Sequence, residues 1–428
     1  MPANFLHGVE TIEITKGSRS IKTVKTAVIG LIGTAPVDTI EAEYKTVNTP
    51  VLITNDKDAA KYFGENASGF TIPAALNAIF DQGAGIVIVI NVFDPAVHTS
   101  IADVEISSII GGVDAQGKRT GLQAFKDSYS LFGFYPKTLI APKYCEDKAV
   151  ATEINTVAGN IRAIGLIDAP VGTTVQNVIS GRGPSGTINY NFSSDRLVLC
   201  YPHLKVYDTA ANAEKLEPYS QRLAGVIAAK DIDKGYHWSP SNTEIQGIIG
   251  VERQLTSMIN DPNSEVNLLN EAGILTVFNS FGSGFRTWGN RSSAYPASTD
   301  PTNFINIRRT ADILHESVEY SMLQFIDYPI DNGLIDSICE SVNAFIRTLI
   351  GRGALIDGKC KFNTDKNPTE EIANGHLLFD IEFMPPTPAE RITFESFINI
   401  ELLSTLRAPS SVSLASSTTG GGNLGNES

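Results

Sequence analysis

The chain has 428 residues, 42% hydrophobic and 19% charged, with a formal net charge of -14. That length exceeds one ordinary hydrophobic core, so two or three packed units are expected. The acidic balance excludes a general nucleic-acid binder, which needs a basic surface against phosphates; the longest apolar run, Ile86–Ile90, is too short to cross a bilayer and argues against membrane insertion.

Met1–Gly8 carries neither a basic n-region nor an apolar h-region, so no signal peptide is expected. Cys145, Cys200, Cys339 and Cys360 are dispersed without C-x-x-C spacing and read as buried thiols of a reducing compartment, with no metal site. Phe5–Ile21 places Ile12 and Ile14 on one parity and Thr11 and Glu13 on the other, a short strand ended by Gly17-Ser18. Its basic residues read either as a solvated face or as part of an arm that pairs elsewhere.

From Ala27 the pattern becomes strand–helix alternation. Ala27–Gly33, Val51–Thr54, Ile86–Phe93, Leu139–Ala141, Leu166–Asp168 and Leu197–Tyr201 read as core strands. Asp56–Phe63 (with Asp56 as cap), Ile72–Gln82, Lys148–Ile164, Val175–Arg182 and Pro218–Lys230 read as helices. This is an α/β unit with a partly parallel sheet, from about Ala27 to about residue 280, with a less regular excursion over 94–134. Phe281–Pro296 reads as a Gly/Ser-rich link.

Beyond it, Leu314, Val318, Met322 and Phe325 mark one amphipathic helix, and Ile338, Val342, Phe345 and Leu349 a second. The second has Asp331 before it and Arg347 and Arg352 at its end, the order the helix dipole favours. Then Phe379, Ile381 and Phe383 alternate with Asp380 and Glu382, and after a Pro-rich connector Ile392, Phe394, Ile398, Ile400 and Leu402 share one parity. Two strands alone are marginal in water, so another segment must complete this sheet. Residues 409–428 form a Ser/Gly-rich tail that reads as disordered.

Catalytic constellations are sparse. Gly30 and Gly33 follow a strand, but the full G-x-G-x-x-G is missing and no helix opens at Gly33, so close backbone packing is the expected role. Gly117–Gly121 (GKRTG) lacks the spacing and Lys-Ser/Thr order of a phosphate loop. The six histidines show no H-E-x-x-H pattern; His315-Glu316 reads as a polar-face pair. No catalytic, cofactor-binding or metal-binding residue is assigned.

The ordered run of motifs carries more. FLHGV at Phe5–Val9, AVIGLIGTAP at Ala27–Pro36, IGGVDAQGKRTGLQAF at Ile110–Phe125 and KTLIAPKY at Lys137–Tyr144 begin it. SPSNTEIQGIIG at Ser239–Gly250, FRTWGNRS at Phe285–Ser292, FINIRRTADIL at Phe304–Leu314 and GALIDGKCKF at Gly353–Phe362 continue it. In this order the chain resembles the contractile tail sheath proteins of myophages and R-type bacteriocins, especially the P2-like and pyocin-like branch, over nearly its whole length.

The resemblance implies a structural subunit, not an enzyme, in a virion tail or phage-tail-like particle. It implies a homo-oligomer of stacked six-membered rings in helical order around an inner tail tube protein, with baseplate and tail terminator proteins as further partners. No cofactor and no nucleic acid are implied. The expected division is an N-terminal arm (1–26), an α/β domain (27–280), a C-terminal α+β domain (281–390), a C-terminal strand (391–408) and the tail. The arms would complete β-sheets between subunits, whose strand residues are Val9, Ile12 and Ile14 from one arm, Phe379, Ile381 and Phe383 of the C-terminal domain, and Ile392, Phe394, Ile398 and Ile400 from the other arm. Arg347 and Arg352 are candidates to face the tube. The competing reading is a nucleotide-using α/β enzyme with an oligomerising C-terminal domain.

Overall fold

The apolar runs of the first two-thirds of the chain assemble into one large sheet. The computed structural model describes residues 21–407, except 66–68, 84, 210, 259 and 281–283, and divides into two units after Pro388. In the first unit the strands are β1 (Ile29–Gly33), β2 (Val51–Ile53), β3 (Val87–Asn91), β4 (Thr138–Ile140), β5 (Ile164–Asp168) and β6 (Leu197–Cys200). Next come β7 (Leu204–Asp208), β8 (Ala213–Glu217) and β9 (Gly250–Val251), a small antiparallel sheet with β7 central, and then β10 (Ile274–Ser280) and β11 (Gly284–Trp288). The eight-stranded sheet runs β11-β10-β6-β5-β4-β1-β3-β2. Its six inner strands pair in parallel, and β2 and β11 close the two sides antiparallel.

β1, β3 and β5 are buried along their whole length, as strands covered on both faces must be. The helices α1 (Asp56–Phe63), α2 (Ile72–Phe80), α3 (Ile106–Ile110), α4 (Ser128–Phe132), α5 (Lys148–Ile161), α6 (Val175–Ser180), α7 (Tyr219–Asp233) and α8 (Glu265–Glu271) belong to this part. α5 ends three residues before the expected Ile164 because Arg162 turns left-handed (φ 53°) and Ile164 opens β5. Asn55, not Asp56, caps α1, its side chain accepting from the Asp58 amide at 2.9 Å.

Two sequence expectations change. The segment 94–134 is no projection: Val104, Ile109, Leu122, Ala124 and Phe125 lie in the main core. The Gly/Ser-rich link contains β11, whose outer side is covered by residues 242–245; Asn242 and Ile245 donate to Thr287 and Phe285 carbonyls at 2.7 and 2.9 Å.

Two long helices follow, α9 (Ile305–Met322) and α10 (Asn332–Gly351), then β12 (Asp357–Phe362), α11 (Thr369–Ala373) and β13 (Phe379–Met384). The Asp331 side chain caps α10, accepting from the Leu334 amide at 2.7 Å. A second core gathers Ile21, Leu314, Val342, Phe345, Ile346, Leu349, Ala354, Leu355 and Cys360. α9 joins it to the α/β layer through ion pairs. Arg309 grips Asp231 at 2.7 and 2.5 Å, Arg196 grips Asp312 at 2.6 and 2.8 Å, and Lys137 meets Glu316 and Arg162 meets Glu319. Glu316 is therefore buried and paired, not on a polar face; its neighbour His315 sets its ring edge-on to Phe383.

Candidate functional site

β12 and β13 form an antiparallel ribbon, Cys360 opposite Ile381 and Phe362 opposite Phe379. Phe379, Ile381 and Phe383 turn one face onto the second core, while Lys361 and Lys366 bridge Glu382 and Asp380 on the other. The expected strand over Phe379–Phe383 is present, but its partner is β12, a segment whose Asp357, Gly358, Lys359 and Lys361 give weak strand signals. The Asn343 side chain bonds the outer side of β12 at Cys360, 2.7 and 2.9 Å from its amide and carbonyl. Among the described residues, no hydrogen bond reaches the backbone of Phe379, Ile381 or Phe383 from beyond the ribbon.

The start of the described chain is pinned beside this ribbon's core. Ile21 is buried in it, the Val24 amide donates to Ser317 Oγ at 3.2 Å, and Lys25 Nζ lies 4.2 Å from the Phe134 ring centroid. Val9, Ile12 and Ile14 lie outside the described residues.

The second unit is described over Ala389–Arg407. No strand forms there: residues 389–399 have no regular structure and Ile400–Arg407 is a 3-10 helix. Ile392 (70%), Phe394 (88%), Ile398 (95%) and Ile400 (74%) are exposed. The period-2 pattern was legible, but a strand needs a ladder partner to exist.

Arg347 and Arg352 separate. Five residues apart on a helix is a turn of about 140°. Arg347 bonds Glu340 on the exposed face of α10, whereas Arg352 lines a cavity of about 520 Å³ with Lys25, Lys234, Tyr236 and His237. Burial lowers the His237 pKa, opposed by the charge of Asp231, which lines the same cavity.

The glycine motifs have packing roles. A Cβ on Gly33 would stand 2.1 Å from Thr71 Oγ1, and one on Gly30 would stand 2.6 Å from Leu139 Cδ2. Gly117–Gly121 belongs to a hairpin in which Val113 bridges Arg119 and Asp114 Oδ1 accepts from the Gln116 and Lys118 amides at 2.9 and 2.8 Å. Among the described residues no His, Cys, Asp and Glu cluster is arranged to hold a metal ion, and no helix is long and apolar enough to cross a membrane.

One titratable cluster was missed by the sequence reading. Buried His203 sits between Glu146 and Glu252, each 3.9 Å away, near Asp168 at the end of β5. Burial, reinforced by the Asp168 charge, pushes Glu146 up to about 7; burial also raises Asp168, which accepts from the Ser220 amide at 2.8 Å. The carboxylate ending the apolar run IGLID was the available signal.

Three family matches tile the chain: tail sheath protein Gp18 domain III N-terminal region over 26–92, phage tail sheath protein central domain over 117–293, and phage tail sheath C-terminal domain over 297–399. The tail sheath protein of Burkholderia phage BcepMu is 48% identical across 95% of this chain and 99% of its own length. The chain belongs to the phage tail sheath family. A putative prophage major tail sheath protein of Pseudomonas aeruginosa (strain UCBPP-PA14) is 34% identical, covering 91% of this chain and 96% of that one. The fold is shared with the contracted helical sheath of the anti-feeding prophage, at a TM-score of 0.67 and 19% identity over 92% of this chain and 100% of that one.

This sheath protein is therefore a structural subunit of a contractile tail, not a nucleotide-using enzyme, and its place is a virion tail or phage-tail-like particle.

Proposed function

We propose that the chain polymerises helically, in stacked six-membered rings around an inner tail tube, and contracts from a metastable extended state to a wider, shorter one. The observation that carries this is the juxtaposition, in one sequence, of a β13 edge that no described residue bonds and an exposed apolar segment over Ile392–Leu402. A strand with an open edge accepts an extended segment from another chain, and such head-to-tail contacts generate filaments when they do not close. The terminal segments 1–26 and 391–408 act as arms, Val9, Ile12 and Ile14 from one end and Ile392, Phe394, Ile398 and Ile400 from the other. The part 27–280 forms the outer domain and 281–390 the inner one.

The exposed face of α10 at Arg347 meets acidic groups of the tube, while Arg352 turns elsewhere. Exposed ion pairs contribute only about 0–1 kcal/mol each, so this attachment releases during contraction. Baseplate and terminator proteins hold the two ends of the polymer. Contraction is a rigid-body movement of subunits joined by these arms, driven by contacts between them. Negative-stain microscopy of the purified protein tests the assembly: striated tubes are expected, and compact particles at all concentrations would refute it.

A further inference from the structure

The ribbon's two outer edges are unequal. On the β12 side Asn343 Oδ1 accepts from the Cys360 amide at 2.7 Å, and its Nδ2 donates to the Cys360 carbonyl at 2.9 Å. This two-point bond is what a neighbouring strand would offer Cys360, supplied here by one side-chain amide. Residues along an antiparallel strand alternate between bonding inward to the partner and turning both groups outward. Cys360 turns outward, so Ile381, directly opposite, does the same on β13, and Phe379 and Phe383 share its orientation. Nothing among the described residues satisfies those three.

A similar amide closes the ladder's inner end. Asn367 accepts from the Leu378 amide at 2.7 Å and donates to the Leu378 carbonyl at 2.8 Å. Asparagine is a poor interior helix residue because its amide competes for backbone groups. Its presence in the middle of α10 is accounted for by Cys360.

We infer that Asn343 is an edge plug, which closes β12 so that the ribbon accepts an extended strand from a second copy on the β13 edge alone. The inference rests on the strand-addition reading above and adds to it the side of entry and the residue that sets it. A two-stranded ribbon with both edges open would join chains in two ways, and the polymer would branch or slip. Blocking one edge is the means by which β-proteins prevent unwanted pairing. Asn343 is thus a positioning residue: it leaves the donated strand untouched and decides where that strand lies.

The test uses the full chain with a photo-crosslinking side chain at Thr393, polymerised and irradiated, with adducts mapped by mass spectrometry. The unaltered ribbon is expected to give adducts on Phe379–Met384 and none on Asp357–Phe362. Asn343→Ala should spread them over both strands and shorten or branch the tubes. Adducts on β12 in the parent, or an unchanged map in Asn343→Ala, overturn the plug. Adducts on neither strand in intact tubes overturn the strand-addition reading, and the plug with it. Should Asn343→Ala fail to fold, Ile381→Pro decides: it removes an amide that faces outward and spares the ladder to β12. That variant should keep its circular dichroism and lose polymerisation at least about tenfold, a loss that follows from a net hydrogen bond and the blocked edge; parent-level tubes would refute the assignment.

Discussion

The joint between α9 and the α/β layer is predicted to depend on charge pairing, most sharply at Arg309 and Asp231. Both side chains are buried, and the guanidinium meets both carboxylate oxygens, at 2.7 and 2.5 Å. Arg309→Met keeps the stem and removes the charge, leaving the buried Asp231 carboxylate without its two-point partner. Breaking one partner of such a pair costs about 3–5 kcal/mol, whereas replacing both by apolar groups is often close to neutral. A loss of that size lowers the midpoint of thermal unfolding by on the order of 10 °C for domains of this class. The double change Arg309→Met with Asp231→Leu should recover most of it. Urea unfolding followed by fluorescence reports the event through Trp288, which stacks on Phe278 at 4.7 Å. A single-mutant cost under about 1 kcal/mol, or a double mutant as damaged as the single, would refute this reasoning, since both outcomes mean that the carboxylate is not stranded.

Three further expectations follow from particular residues. Gly33→Ala should destabilise by about 1–3 kcal/mol, an overpacking cost, because its Cβ would stand 2.1 Å from Thr71 Oγ1; a neutral melt would show that the strand end yields freely. Glu146 is held at about 7 by burial and the Asp168 charge, above its ordinary 4.5, so the folded state binds the extra proton between those values. Stability from this group is full below about 4.5 and is lost as pH rises through about 7; Glu146→Gln should therefore gain on the parent with rising pH, and a constant difference from pH 4 to 8 would contradict it. Calorimetry with ATP, GTP or NAD should give no micromolar binding, since the glycines that invite a nucleotide reading are filled by Thr71 and Leu139 instead.

The sequence made the core strands and the two long helices legible because each carries its own signal: an all-apolar run for β1 or β5, a four-and-three stripe for α10. Segments that borrow their stability from elsewhere were harder to read. β11 hides in a Gly/Ser-rich stretch because its side chains matter less than its two ladders. The hairpin of β7 and β8 is rich in charge, with Lys205 bonding Glu214 across it, and so lacked an apolar alternation. Glu316 looked like surface because the lysine it pairs with is 179 residues away. Of the candidate site, the alternation of Phe379–Phe383 and Ile392–Leu402 was visible early. That β12 pairs with the first, and that an asparagine within α10 occupies the far edge, depends on tertiary contacts that periodicity cannot carry.

The proposed joint between separate chains is the lending of terminal strands. It is tested most directly by removing them, one variant lacking Met1–Thr15 and another ending at Pro388, and comparing each with the full chain by circular dichroism, sedimentation and negative-stain microscopy. A donated strand of about six residues gains several hydrogen bonds worth roughly 0.5–1.5 kcal/mol each, plus buried Ile and Phe faces, and repetition through the lattice multiplies it. Both truncated proteins should keep the spectrum of a folded α/β protein and sediment as small species without tubes. Tubes of normal length from either one would contradict strand exchange.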